Sequence, residues 1–112
     1  MNPANDLHPL EITLADYLAN WRGKPIQALD VREHDEWAAG HMAGAVLAPL
    51  GELERRLSEL DLDPAAPTIV VCRSGRRSLI AAEYLAQRGF GRVRSLAGGL
   101  LAWAAAGQPL ER

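Results

Sequence analysis

The sequence predicts an α/β fold with about five strands in a mainly parallel sheet, flanked by helices on both faces. Short apolar runs alternate with segments of helical periodicity, which is typical of parallel strands joined by helical crossovers. Residues 68–71 (Thr-Ile-Val-Val) show no polar alternation, which predicts a central strand buried on both faces. The 112 residues correspond to a single domain at residues 10–110, preceded by a flexible leader at residues 1–9.

The remaining elements follow from apolar spacing and from residues suited to helix ends. Four further apolar runs predict strands, at residues 10–13, 25–31, 45–47 and 93–96. Helical spacing predicts the helices, at residues 14–20, 33–39, 51–60, 78–88 and 98–106. Thr13 is suited to capping the first helix, and Gly40 and Gly89 are suited to ending the second and the fourth. Because ligands of such sheets bind at the carboxyl ends of strands, attention falls on Asp30 and Cys72.

Composition and charge exclude several classes of protein. Hydrophobic residues make up 48% and charged residues 23% of the chain, which indicates a packed core and excludes disorder. The net charge of −2 argues against nucleic acid as a partner, and no apolar run approaches the roughly 20 residues that span a membrane. The N-terminus lacks a signal-peptide pattern, so we expect a cytoplasmic protein. With one cysteine and no metal-ligand spacing, neither a metal nor an organic cofactor is expected.

The loop that follows the central strand carries the strongest functional signal. Cys72 stands at the carboxyl end of this strand, and Gly75 permits a turn of positive φ before the next helix. Residues 72–94 contain six arginines and one glutamate, a local charge of +5. Inward-facing N–H groups, the helix dipole and these cations favour a thiolate, so the thiol pKa should fall below its reference of about 8.5. The pattern predicts a nucleophilic cysteine in an anion-binding cradle.

Four segments resemble the rhodanese family of single-domain sulfurtransferases. They are residues 29–33 (Leu-Asp-Val-Arg-Glu), 36–45 (Glu-Trp-Ala-Ala-Gly-His-Met-Ala-Gly-Ala), 71–78 (Val-Cys-Arg-Ser-Gly-Arg-Arg-Ser) and 96–103 (Leu-Ala-Gly-Gly-Leu-Leu-Ala-Trp). Their order and spacing make the resemblance specific, and it extends over nearly the whole chain. It implies a rhodanese-like parallel sheet of five strands and a cysteine that accepts a sulfane sulfur, becomes a persulfide and passes the outer sulfur to a nucleophile.

The resemblance also implies roles for the residues of this loop. Cys72 corresponds to the catalytic sulfur carrier, and the backbone N–H groups that follow it correspond to a cradle for the persulfide and the donor's oxyanion. The substrate-binding residues are Arg73, Ser74, Gly75, Arg76, Arg77 and Ser78. Arg73 corresponds to a donor-binding cation, and Ser78 to a residue whose hydroxyl faces the sulfur. The expected partners are a small anionic donor such as thiosulfate and an acceptor that is cyanide, a small thiol or a protein thiol.

Several residues outside the loop have both a functional and a structural interpretation. Asp30 and Arg32 end the second strand and either order the cradle or form a structural ion pair, the latter being favoured because such pairs are common in strand-end loops. His41 is predicted to be structural. Trp103 either packs in the core or lies at the pocket rim, as the resemblance implies. Residues 35–37 contain no cation where two-domain, thiosulfate-specific relatives carry an arginine.

Two other kinds of function share the predicted scaffold. A sulfur-relay or protein-interaction module would carry the Cys72 persulfide to a partner protein without turning over small acceptors. Dual-specificity phosphatases and arsenate reductases use an arginine six positions after the cysteine, whereas this chain has Ser78 there and Arg77 one position earlier. Because the loop is one residue shorter, it suits sulfur better than a tetrahedral phosphate or arsenate.

Overall fold

The computed structural model describes residues 7–112, in which five short strands form one parallel sheet. The strands are β1 (Glu11–Ile12), β2 (Gln27–Asp30), β3 (Val46–Leu47), β4 (Thr68–Val71) and β5 (Val93–Leu96). They lie in the order β1-β5-β4-β2-β3, and all four neighbouring pairs are parallel. All four residues of β4 are buried at the centre of the sheet, which confirms the strand predicted at residues 68–71.

The helices connect these strands and confirm the predicted alternation. They are α1 (Leu14–Asp16), α2 (His34–Ala39), α3 (Leu50–Arg56), α4 (Arg76–Gln87) and α5 (Gly99–Ala105), with a π-helical turn at Tyr17–Trp21 and a 3-10 turn at Leu57–Glu59. Thr13 caps α1 as predicted, because its hydroxyl accepts a hydrogen bond from the Asp16 N–H at 3.0 Å. No helix within residues 7–112 is long and apolar enough to cross a membrane.

The helix expected over residues 14–20 is α-helical only to Asp16 and continues as the π-helical turn at Tyr17–Trp21. Two further predicted helices differ from the structure. The helix expected over residues 51–60 is α-helical only to Arg56 and continues as the 3-10 turn. At the end of this turn, the N–H of Leu60 donates to the carbonyls of both Arg56 and Leu57. The helix expected over residues 78–88 begins two residues earlier, at Arg76. This second difference changes the shape of the Cys72 loop.

The core lies in two layers, one on each face of the sheet. On one face, Val70 belongs to a buried cluster with Leu53 of α3 and Leu85 of α4. On the other face, Ile69 belongs to a buried cluster with Trp103 of α5. Successive side chains of a strand point to opposite faces, so the wholly buried β4 requires helices on both sides, as the structure provides.

The start of α5 holds the backbone of the loop that follows β4. The Leu100 N–H donates to the Cys72 carbonyl at 2.9 Å, and the Leu101 N–H donates to the Arg73 carbonyl at 3.0 Å. Gly99 has a φ of +57°, and a Cβ atom there would lie only 2.5 Å from each of these carbonyl oxygens. The absence of a side chain at Gly99 therefore allows the first N–H groups of α5 to reach the loop.

We expect Gly99→Ala to lower the free energy of unfolding by about 3 kcal/mol, because a clash with two carbonyl groups adds to the strain of a positive φ. Urea denaturation measures this loss. Gly107→Ala is the matched control: its φ is +75°, but nothing lies within 4 Å of the added Cβ. Its expected loss is about 1 kcal/mol. Equal losses in the two variants would mean that the contact between α5 and the loop does not constrain residue 99.

Candidate active site

Cys72 follows β4 directly, and its sulfur lies within a ring of hydrogen-bond donors. The residue is buried, with 1% of its surface exposed. The N–H groups of Gly75 and Ser78 donate to the sulfur at 3.1 and 3.3 Å. The Ser78 hydroxyl oxygen lies 3.4 Å from the sulfur. The structure thus brings Gly75 and Ser78, both expected in the cradle, into contact with the expected nucleophile.

A tight turn at Gly75 produces this arrangement. Gly75 has a left-handed φ of +101° and is the N-cap of α4, so the helix already begins at Arg76. The predicted start at residue 78 was wrong because the sequence does not reveal that a single left-handed glycine completes the turn. Ser78 consequently lies in the first turn of α4, where its N–H has no partner within the helix and is free to donate to Cys72.

This environment lowers the pKa of the Cys72 thiol, in the direction that the sequence predicts. Burial raises the pKa, but hydrogen bonds outweigh that effect: the Ser78 side chain contributes most, followed by the N–H groups of Ser78, Gly75 and Ser74. A larger fraction of the sulfur is therefore thiolate than in an ordinary cysteine. Because the thiolate is the nucleophilic form, the lowered pKa favours nucleophilic chemistry at this sulfur.

A second buried hydroxyl, which the sequence analysis missed, lies behind Ser78. Ser95 of β5 is fully buried, and its Oγ lies 2.7 Å from the Ser78 Oγ and donates to the Gly75 carbonyl at 3.5 Å. The pairing of β5 with β4 sets Ser95 opposite Val70, two residues before Cys72. The serine between Arg94 and Leu96 in β5 was the available signal, but only the strand order reveals which loop it faces.

The three arginines of residues 73–77 have different surroundings. Arg73 and Arg76 are exposed, and neither forms an ion pair with any residue in the described range 7–112. Arg77 is half-buried and donates to both carboxylate oxygens of Glu36 in α2, at 2.7 and 2.9 Å. These hydrogen bonds lower the pKa of Glu36 to about 2 and raise the pKa of Arg77. Glu36 therefore already neutralises one of the three cations expected to bind the donor.

Asp30 and Arg32 form a buried ion pair where β2 ends. The Arg32 guanidinium donates to both oxygens of Asp30 at 2.8 to 3.1 Å and to the Gly40 carbonyl at 2.7 Å. These bonds tie the end of β2 to the end of α2, as the structural interpretation predicts. Among the described residues, neither side chain hydrogen-bonds to the Cys72 loop, so their support of the cradle stays a prediction.

His41 and Trp103 both have structural partners. His41 Nδ1 lies 3.0 Å from the Trp37 carbonyl oxygen, and its ring stacks on the Trp37 indole at a centroid distance of 3.7 Å. Trp103 is buried against Tyr17, and its indole N–H donates to the Pro109 carbonyl at 2.8 Å. Trp103 thus packs in the core. The part of the chain that the structure describes contains no group of three or more His, Cys, Asp or Glu residues that could hold a metal ion.

The arrangement combines a buried thiol of lowered pKa with exposed positive charge. Two backbone N–H groups donate to the Cys72 sulfur, the Ser78 hydroxyl contacts it, and Arg73 and Arg76 are exposed within four residues of it in the chain. Such a field attracts small anions and stabilises negative charge that develops at the sulfur. The chemistry that suits this site is nucleophilic attack by sulfur on an anionic substrate.

Known proteins share both the sequence pattern and the fold. Residues 13–106 match the family model described as the Rhodanese-like domain. A protein named Sulfurtransferase from Allochromatium vinosum is 40% identical over 82 residues, which cover 73% of this chain and 75% of that protein. The putative sulfur carrier protein YrkF of Bacillus subtilis is 38% identical over 78 residues, or 70% of this chain and 41% of YrkF. The chain thus spans less than half the length of YrkF.

A solved structure gives the same result for the fold. The crystal structure of a rhodanese-related protein from Thermoplasma volcanium matches with a TM-score of 0.79 and 31% identity, covering 90% of this chain and 96% of the other. This likeness confirms the predicted rhodanese-like sheet of five parallel strands with flanking helices. The family match contains the Cys72 loop and extends over most of the chain. The chain therefore belongs to the rhodanese family and has named sulfurtransferases among its relatives.

Proposed function

We propose that this protein is a sulfurtransferase that moves a sulfane sulfur from a small anionic donor such as thiosulfate to cyanide or a thiol. The carrier is a persulfide on Cys72. The observation that carries the proposal is the Cys72 sulfur, which the N–H groups of Gly75 and Ser78 contact at 3.1 and 3.3 Å. The relative from Allochromatium vinosum that is named Sulfurtransferase supports the reaction class.

In the first half-reaction, the Cys72 thiolate attacks the outer sulfur of thiosulfate. The thiolate electron pair forms the new S–S bond, the bond within the donor breaks, and sulfite leaves with that pair. The persulfide keeps one negative charge on its outer sulfur, so no proton transfer is required. Backbone N–H groups suit this step because they stabilise the anion without providing a competing proton, and the exposed Arg73 and Arg76 favour approach of the donor.

In the second half-reaction, cyanide or a thiolate attacks the outer sulfur of the persulfide. The persulfide S–S bond breaks and its electron pair returns to Cys72, which becomes a thiolate again. The product is thiocyanate or the persulfide of the acceptor thiol. The lowered pKa of Cys72 favours this step as well, because a thiol of lower pKa is a better leaving group.

A sulfur relay is the second candidate, and the likeness to YrkF favours it. YrkF is named a putative sulfur carrier protein, and the chain spans 41% of it. A relay would load Cys72 by the same first step but deliver the sulfur only to a thiol of a partner protein. Phosphatase or arsenate reductase chemistry has less support, because Ser78 occupies the sixth position after the cysteine and Arg77 is paired with Glu36.

Incubation with thiosulfate under non-reducing conditions is expected to add the mass of one sulfur atom to the protein, because Cys72 retains the outer sulfur. Intact-protein mass spectrometry measures the gain, and Cys72→Ser is expected to gain nothing. Cyanide should reverse the gain and release an equal amount of thiocyanate. Loading without turnover on cyanide or small thiols would favour the relay. No gain with either thiosulfate or a glutathione persulfide would contradict sulfur transfer.

Charge reversal at Arg73 is expected to raise the KM for thiosulfate about tenfold, because an exposed cation near the sulfur becomes an anion that repels the donor. Steady-state kinetics with cyanide as acceptor measure the change. Arg92→Glu is the matched control, because Arg92 lies at the amino ends of the parallel strands, whereas Cys72 lies at their carboxyl ends. Its KM should stay within about twofold of the wild type. Equal increases in both variants would rule out a local role for Arg73.

A further inference from the structure

Buried hydrogen-bonding groups link the Cys72 sulfur back to its own loop. The Ser78 Oγ lies 3.4 Å from the sulfur and 2.7 Å from the Ser95 Oγ, which is 3.5 Å from the Gly75 carbonyl oxygen. The Gly75 N–H in turn donates to the sulfur at 3.1 Å, which closes a ring. Both serines are 0% exposed, so bulk water does not compete for their hydroxyls.

The two hydroxyl groups of this ring can donate their hydrogen bonds in either of two directions around the ring. In the thiol form, the sulfur donates to Ser78, Ser78 donates to Ser95, and Ser95 donates to the Gly75 carbonyl. A thiolate or persulfide anion only accepts, so the Ser78 hydroxyl can donate to the sulfur, and its oxygen is then free to accept from Ser95. The reversal leaves no buried carbonyl unpaired, because the Leu79 N–H also donates to the Gly75 carbonyl, at 3.2 Å.

We propose that Ser95 is a positioning residue that fixes the Ser78 hydroxyl in the orientation that donates to the sulfur anion. A hydroxyl that has an acceptor on one side and a donor on the other has one preferred rotamer, and each bond in such a chain strengthens the next. Without the Ser95 hydroxyl, Ser78 loses the donor that holds this rotamer. The inference rests on the proposed function only in naming the sulfur anion as the reactive species.

The two exposed arginines of the loop form no ion pair within residues 7–112, and two further charged groups near the hydroxyl ring have contacts of their own. Arg77 of α4 is bound by Glu36 of α2. Glu11 of β1 pairs with Ser95 in the sheet, and its carboxylate accepts from the His8 N–H at 2.9 Å. None of these contacts uses the Ser95 hydroxyl. Its removal therefore tests the hydroxyl ring and not the arginines or carboxylates.

The test is a double-mutant cycle in which the rate of Cys72 alkylation by iodoacetamide is measured as a function of pH, and the midpoint is the pH of half-maximal rate. Ser78→Ala should raise this midpoint by about one pH unit. Ser95→Ala should raise it by about half a unit, because Ser95 acts on the sulfur only through Ser78. In the double variant the midpoint should equal that of Ser78→Ala alone. Additive shifts, or an unchanged midpoint in Ser95→Ala, would overturn the proposal.

Two further variants separate this role from a general effect on packing. Ser95→Thr keeps the hydroxyl and should restore the wild-type midpoint, provided that its unfolding curve matches the wild type. Thr68→Val removes a buried hydroxyl at the amino end of β4, far from the sulfur, and should leave the midpoint unchanged. A shift in Thr68→Val equal to that in Ser95→Ala would contradict the positioning role.

The alkylation midpoint does not depend on any sulfur donor. Failure of sulfur loading with an intact coupling between Ser78 and Ser95 would therefore overturn the proposed function and leave this inference standing. Normal loading of Cys72 together with independent serine effects would do the reverse.

Discussion

The structure depends on a buried cysteine thiol whose pKa is lowered by hydrogen bonds. Burial opposes charge unless hydrogen-bond donors replace the lost water, and here the donors are the Ser78 hydroxyl and backbone N–H groups. The left-handed Gly75 turns the N–H groups of residues 75 and 78 toward Cys72, while the first N–H groups of α5 hold the carbonyls of residues 72 and 73. Gly75 is favoured by its left-handed φ of +101°, and Gly99 is required because a Cβ there would lie 2.5 Å from two carbonyl oxygens.

The three arginines of this loop have two different roles in the structure: Arg77 is paired with an acid, and the other two are exposed. Glu36 of α2 binds Arg77 through both carboxylate oxygens. The acid thereby joins α2 to the first turn of α4. The exposed positive charge of this loop comes from Arg73 and Arg76, and such charge favours the approach of an anion.

The buried Asp30–Arg32 pair and the contact between the Ser78 and Ser95 hydroxyls each link separate elements of the fold. Arg32 satisfies both Asp30 and the Gly40 carbonyl, so the end of β2 and the end of α2 move together. On the other side of β4, Ser95 of β5 contacts the hydroxyl that contacts the sulfur. The parallel order β5-β4-β2 brings all three strand ends to one edge of the sheet, which is why distant residues share one site.

The sequence by itself determined the elements whose signals are local: five apolar runs, the Thr13 cap, and the family resemblance around Cys72. It also indicated the direction of the thiol pKa, because glycine, helix start and arginines are consecutive in the chain. Only the tertiary structure decided the start of α4 at Arg76, since a left-handed turn at Gly75 depends on what packs against it. The same holds for the pairing of Glu36 with Arg77 and of Ser95 with Ser78, which lie 41 and 17 residues apart. Such contacts follow from strand order and register, and no local pattern of residues encodes them.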